Sequence, residues 1–257
     1  AALIIVHVLN PYGMLWLRRF NENNVDLNRN FVPDDGYSGA PPTYAALDLF
    51  LNPKSPPTSD LFTLRAGWLI VKHGMPALKQ AVVGGQYEYP TGLFFGGKRL
   101  EQGPKKYKAL LTPRLACAER IIAIDVHTGL GKYGEDTLLV EEEHYDTLRA
   151  IFGERVRPSN AEESPAYRIR GAHEAVIHQA VPKAEIFAVT QEFGTYNPTK
   201  VLNALREENR WHHHGAGTLD HSTKQILKET FYPQDESWRA RVLQRGKELL
   251  EQGLSKL

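Results

Sequence analysis

The chain has 257 residues, 42% of them hydrophobic, enough for one compact domain with a substantial core. Lys and Arg number 31 against 30 Asp and Glu, a formal net charge of +1, so no global field argues for nucleic acid or an anionic membrane surface as partner. The single cysteine, Cys117, excludes an intramolecular disulfide and a cysteine-rich zinc site.

The first element in chain order is an apolar run, Leu3–Val8, expected as a strand because it is short and rich in β-branched residues. Helical patterns cover Thr43–Leu51 and Ser59–Val83. The second is expected to start at a Ser59 or Asp60 N-cap and to kink or split at Gly74-Met75-Pro76. Residues 84–103 carry Gly pairs and four aromatics near Pro90, a length and composition that fit a site-lining segment or an Ω-loop. A helix is expected over Pro104–Glu119, with Cys117 as a small buried hydrophobe beside Leu110, Leu111, Leu115 and Ala118. Strands follow at Arg120–Val126 and Thr137–Val140, a helix at Glu142–Phe152 and an irregular stretch at 153–170. Then come a helix at Gly171–Ala180, a strand at Glu185–Gln191, and helices at Thr199–Trp211, His221–Phe231 and Glu236–Leu254. Strands alternating with helices favour an α/β class, a single domain with a mixed, mostly parallel sheet flanked by helices. No repeat, low-complexity tract or membrane-length apolar run interrupts it. One cysteine and no visible export signal make the cytoplasm the expected location.

Asn10-Pro11-Tyr12-Gly13 reads as a turn, after which the chain delivers Arg18, Arg19, Asn28 and Arg29 into a loop region. Guanidiniums beside a carboxamide match both oxygens of a carboxylate, although an Arg-rich loop is more often solvated surface or a local ion-pair cluster. Asp125-Val126-His127-Thr128-Gly129 puts His127 at the carboxyl end of a strand, the edge where open α/β sheets bind ligands. Asp125 projects to the same face and receives no role. Ala188 to Gly194 is a strand running into a turn with Glu192 at its end, where a partly buried carboxylate can act as a general base. His173 and His178 are five residues apart, not the four that a zinc-binding helix needs. His212-His213-His214 reads as a solvated helix end.

Together Asn-Pro-x-Gly, Arg-x-Asn at Arg19–Asn21 and Val25-Asp26-Leu27-Asn28-Arg29-Asn30-Phe31 resemble the M14-type zinc carboxypeptidases. The resemblance implies that Asn28 and Arg29 bind a substrate carboxylate and that Arg19 polarises the scissile carbonyl, with Arg18 the weaker match. It further implies that His127 is a zinc ligand, that Glu192 is the catalytic carboxylate, and that Tyr167 offers a phenol over the substrate. Gln86-Tyr87-Glu88-Tyr89-Pro90, the run 127–131 and Glu192-Phe193-Gly194-Thr195-Tyr196 resemble a bacterial branch known as DUF2817, over nearly the whole chain.

The implied fold is the zinc-carboxypeptidase (phosphorylase/hydrolase-like) domain across 1–257. The implied reaction is zinc-dependent hydrolysis of an amide next to a carboxylate, in a peptide or an N-acyl amino acid, with no nucleic-acid or membrane partner. A deacylase of small metabolites is the first alternative and a metal-free, carboxylate-binding pseudoenzyme the second. The sequence departs from the family in one respect: no His-x-x-Glu occurs in it, and that motif supplies the family's other two zinc ligands. A missing N-terminal portion is the simplest expectation, which would leave a sheet edge uncovered; natural loss of the metal is the alternative.

Overall fold

The computed structural model describes residues 2–159, 171 and 174–256. Its centre is a four-stranded sheet of β1 (Arg120–Tyr133), β2 (Asp136–Val140), β3 (Val156–Pro158) and β4 (Glu185–Gly194), in the order β1-β4-β2-β3. β1 runs parallel to β4 and β2 parallel to β3, while β2 and β4 are antiparallel. β4 is buried along nearly its whole length, as expected of a strand covered on both faces. Beyond a register shift between Gly129 and Tyr133, β1 passes the carboxyl end of β4, and β2 returns on β4's other side.

Alternation along the strands builds two cores. Leu138, Val140, Phe187 and Val189 pack with Leu148 and Phe152 of α6 (Tyr145–Phe152) and Leu249 of α10 (Glu236–Leu254). Ile121 and Ile186 point the other way, onto Leu111 of α5 (Gln102–Leu115) and Ile177 of α7 (Glu174–Ala180). A third core joins α2 (Pro42–Leu51), α3 (Phe62–His73), α4 (Met75–Val83), α8 (Pro198–His214) and α9 (Ser222–Phe231) to Leu93 and Phe94. The short α1 (Pro11–Trp16) opens after an Asn10 cap whose Oδ1 accepts from Gly13 N–H at 2.9 Å. Among the described residues no helix is long and apolar enough to cross a membrane.

The α/β class stands, but several local expectations need correction: β1 does not stop at Val126 but runs through His127 to Tyr133, and β3 falls in the stretch 153–170 expected to be irregular. Residues 3–8 form no strand, and Ile5 is 76% exposed: an apolar β-branched run becomes a strand only where a ladder partner exists, and this one pairs with none of the four strands. Neither Ser59 nor Asp60 caps the next helix, since α3 starts after Leu61 and α4 follows it at Gly74. Asp60 is claimed instead by an ion pair with the buried Arg206. Cys117 is exposed, because α5 ends at Leu115 and its apolar stripe stops there. The run His212–His214 is half-buried in the last turn of α8 rather than solvated. The 84–103 segment behaves as an Ω-loop around the buried Gln86, whose Oε1 accepts from Tyr89 N–H at 2.7 Å and whose Nε2 donates to Tyr89 O at 2.8 Å.

Beneath α8 lies a fully buried ion triad. Glu208 Oε1 stands 2.5 Å from Lys224 Nζ and 3.6 Å from Arg18 Nε, and Arg18 also donates to Asn24 Oδ1 at 2.9 Å and Asn209 Oδ1 at 3.3 Å. Glu208→Gln strips both cations of their counter-charge and is expected to destabilise the fold by about 3–5 kcal/mol, read as a lower urea midpoint at unchanged slope.

Burial, and then the charge of Arg18, push His212 down to about 3 and His213 down to about 4. Their neutral forms are thus the folded forms. A histidine held below its ordinary 6.5 contributes stability fully above that value and loses it as pH falls through the folded value. Urea stability is expected to decline from pH 6.5 toward about 4, and a His212→Gln/His213→Gln variant should show a shallower decline over that window.

Candidate active site at the carboxyl end of the sheet

The β1–β4 register sets this site. Arg120 pairs with Glu185 and the ladder runs without slip to His127↔Glu192 and Gly129↔Gly194. Ile121, Ala123, Asp125 and His127 therefore share one face with Ile186, Ala188, Thr190 and Glu192. That face is apolar under α5 and α7 and turns polar at the carboxyl end.

His127 Nε2 forms a very short contact with Asp125 Oδ2, and its Nδ1 faces Glu192 Oε2 at 3.6 Å. The other oxygen of Glu192 accepts from Leu130 N–H at 2.9 Å. This carboxylate is thus aimed by the turn that follows β1, and Gly129 at φ +141° lets that turn lie against Phe231. Burial disfavours charge on His127, but hydrogen bonds and attraction from Asp125 and Glu192 outweigh it and raise the imidazole to about 10. Asp125, which received no role from sequence, is the group that fixes the ring; its place two residues before His127 on one strand is the signal that could have assigned it.

The arginines divide cleanly. Arg18 is buried in the Glu208 triad and does not face the site. Arg19 keeps its side chain 27% exposed and donates from Nε to Asp26 Oδ2 at 2.8 Å. Its guanidinium lies 5.4 Å from the Phe94 ring centre, and that of Arg29 lies 5.8 Å from the same ring. Asp26 also caps the turn Leu27–Arg29, its Oδ1 accepting from Asn28 N–H at 3.1 Å. Burial raises the carboxyl of Asp26, but Arg19 and Arg29 more than offset that and hold it below its ordinary value. Asn28 is half-buried and Arg29 buried, its Nη1 donating to Asn28 O at 2.8 Å.

Sequence reasoning missed both Asp26 and Phe94. The Asp-x-Asn spacing is an Asx-turn signal that could have found the first. Phe94 sits at φ +57°, an outlier for a bulky residue of the kind that gathers at functional sites, and nothing local in the sequence announces it.

His127 and Glu192 are thus brought together, and so are Arg19, Asn28 and Arg29. The two groups border one apolar cluster, which contains Phe94 and against which Phe231 packs. Tyr167 and His173 lie outside the described residues. As a zinc site, the donor set is incomplete. His127 has the carboxylate-anchored imidazole typical of a metal ligand, yet among the described residues no cluster of three ligand-type side chains includes it, and catalytic zinc takes three protein ligands.

The family profile described as "Protein of unknown function (DUF2817)" matches residues 1–245. The chain belongs to the DUF2817 family. No curated protein and no solved structure matches it. Within this DUF2817 chain, the loop 84–97 shapes the arginine site from below. A Cβ on Gly85 would fall 2.8 Å from Arg29 Cδ, and the residue has φ +85°. Gly85→Ala is therefore expected to destabilise the protein by at least about 1–2 kcal/mol and to displace the Arg29 stem, both measurable by urea unfolding and by weakened carboxylate binding.

Proposed function

We propose that this DUF2817 protein is a hydrolase of the zinc-carboxypeptidase type, cleaving an amide bond next to a substrate carboxylate in a peptide or an N-acyl amino acid. The observation that carries the reading is the pairing of His127 with Glu192 at the carboxyl end of a parallel ladder, with Asp125 behind the imidazole. Glu192 takes a proton from the attacking water and returns it to the leaving amine, its carboxylate kept in place by Leu130 N–H. Arg19, the most exposed of the three cationic candidates, offers a preorganised charge to the carbonyl oxygen. Asn28 and Arg29 orient the substrate carboxylate, with Asp26 holding the turn that carries them. Zinc bound at His127 would supply a water of lowered pKa, and its other protein ligands are not found beside His127 among the described residues. A cytoplasmic location accompanies this reading, on the single cysteine.

A second reading, a carboxylate-binding protein without turnover, is favoured by that same shortfall of ligands. A panel of peptides and N-acyl amino acids, assayed with and without added zinc, separates the readings and also distinguishes a peptidase from a deacylase. Glu192→Gln is expected to lower kcat/KM by roughly 100- to 10,000-fold while ligand binding persists; an active variant would remove Glu192 from the mechanism. Turnover absent throughout the panel, with binding of an N-acyl amino acid lost in Arg19→Met, would establish the second reading.

A further inference from the structure

β2 ends at Val140, and the chain turns through a short 3-10 stretch, Glu142–His144, into α6. His144 N–H donates to Glu141 O at 3.1 Å, folding these two residues toward each other. Glu141 Oε2 comes to lie 3.7 Å from His144 Nδ1 and, across to α7, 4.0 Å from His178 Nε2. Glu143 Oε1 stands 4.0 Å from His144 Nδ1, and the ligand atoms of Glu141, Glu143 and His144 all lie within 4.8 Å of one another.

Glu141 Oε2, His144 Nδ1 and His178 Nε2 are each shielded from solvent and have no hydrogen-bond partner among the described residues. Buried polar atoms are ordinarily satisfied, and separations of 3.7 to 4.0 Å are too long for hydrogen bonds. A tetrahedral ion with ligands about 2.0–2.2 Å away holds those ligands roughly 3.3–3.6 Å apart. Glu141 Oε2 is within a few tenths of an ångström of that spacing from each imidazole, while His178, which lies outside the mutual cluster of Glu141, Glu143 and His144, must swing toward His144 to complete it. The His144 ring is already set edge-on against Phe187 of β4, 5.2 Å between centres, so its direction is fixed by the core.

We propose that Glu141, His144 and His178 bind a zinc ion, with the exposed Glu143 or a water completing a tetrahedron. Two imidazoles and a carboxylate suit zinc better than magnesium or calcium, which prefer all-oxygen sets. The ion ties the β2–α6 connection to α7, joining the helical layers on the two faces of the sheet. It is separate from His127: β2 runs antiparallel to β4, with Asp136 opposite Phe193 and Val140 opposite Val189, so Glu141 lies toward the end of β4 away from Glu192.

Titration of the whole chain with zinc, and with cobalt for its visible absorption, tests the site. The full chain and His127→Ala are each expected to bind one equivalent here, with a tetrahedral cobalt spectrum and a zinc-dependent rise in Tm. His178→Gln, on a helix surface, and Glu141→Gln should each weaken zinc by roughly 100-fold or more, since even groups that only support a ligand are worth about 10–100-fold. Far-UV circular dichroism establishes that both variants fold. The proposal is overturned if His127→Ala binds no zinc, or if its zinc affinity is unchanged when His178→Gln or Glu141→Gln is added.

Discussion

Everything at the carboxyl end of the sheet depends on the parallel pairing of β1 with β4. The ladder holds one register from Arg120↔Glu185 to Gly129↔Gly194, and its apolar half fixes that register. Ile121 and Ile186 must face α5 and α7, while Phe187 and Val189 face α6 and α10. A slip of one residue would send Asp125 and His127 to the opposite face, under α10, and break up the apolar clusters on both faces. The polar end of the ladder is thus positioned by the burial of its apolar beginning, which is why an imidazole and a carboxylate from distant parts of the chain meet. β4 can afford a buried Gln191 for the same reason: its Nε2 donates to Asp136 Oδ2 at 2.7 Å, a bond that the β2–β4 register provides.

The arginine half of the site rests on a different constraint, the division of labour between neighbours. Arg18 and Arg19 are adjacent, yet one is wholly buried against Glu208 and the other leans over Phe94 toward solvent. The buried pair anchors the chain segment to α8, and Lys224 from α9 shares the same carboxylate. Breaking such a triad leaves buried charge behind, so the direction of Arg19 is set by the cost of moving Arg18. Phe94 links the arginines to the core. It touches Arg19 and Arg29 on one side and belongs on the other to the cluster against which Phe231 packs, the residue beside Gly129.

Much of this was legible in the sequence wherever the signal is local. β1 and β4 show as β-branched runs leading into Gly, and the places of His127 and Glu192 near the carboxyl end of their shared ladder follow from that, although β1 itself runs on to Tyr133. The motif 25–31 marked Asn28 and Arg29, and the aromatic, Gly-rich 84–103 segment proved to be a self-packed loop at their back. What failed was set by partners remote in sequence. Residues 3–8 have strand composition but no ladder partner among the four strands. Asp60 looks like a helix cap until Arg206, far along the chain, claims it. His212 and His213 look solvated until Arg18 and the core beneath α8 are in place. Nor could Glu141, His144 and His178 have been grouped, since only tertiary packing brings α7 to the end of β2.

Similar residue types occupy the two ends of the sheet in different states of satisfaction. At the carboxyl end of the β1–β4 ladder, the His127 ring lies between two carboxylates, Asp125 in close contact with Nε2 and Glu192 3.6 Å from Nδ1, and Glu192 is further held by a backbone N–H. The imidazole there is already anchored through Nε2 by Asp125, so a metal must displace a proton and compete with Asp125 and Glu192 for orientation. At the end of β2, the imidazoles of His144 and His178 approach one carboxylate oxygen without bonding it, and all three atoms are out of reach of water. Removing polar atoms from water without a partner is costly, and the packing of α6 and α7 on the sheet supplies the energy that holds them there. A cation relieves that cost at the β2 end, whereas at the β1 end Asp125 already supplies a partner from the chain itself. In this chain the β2 end is accordingly the better prepared of the two for a metal, although the sequence motifs all point to the other.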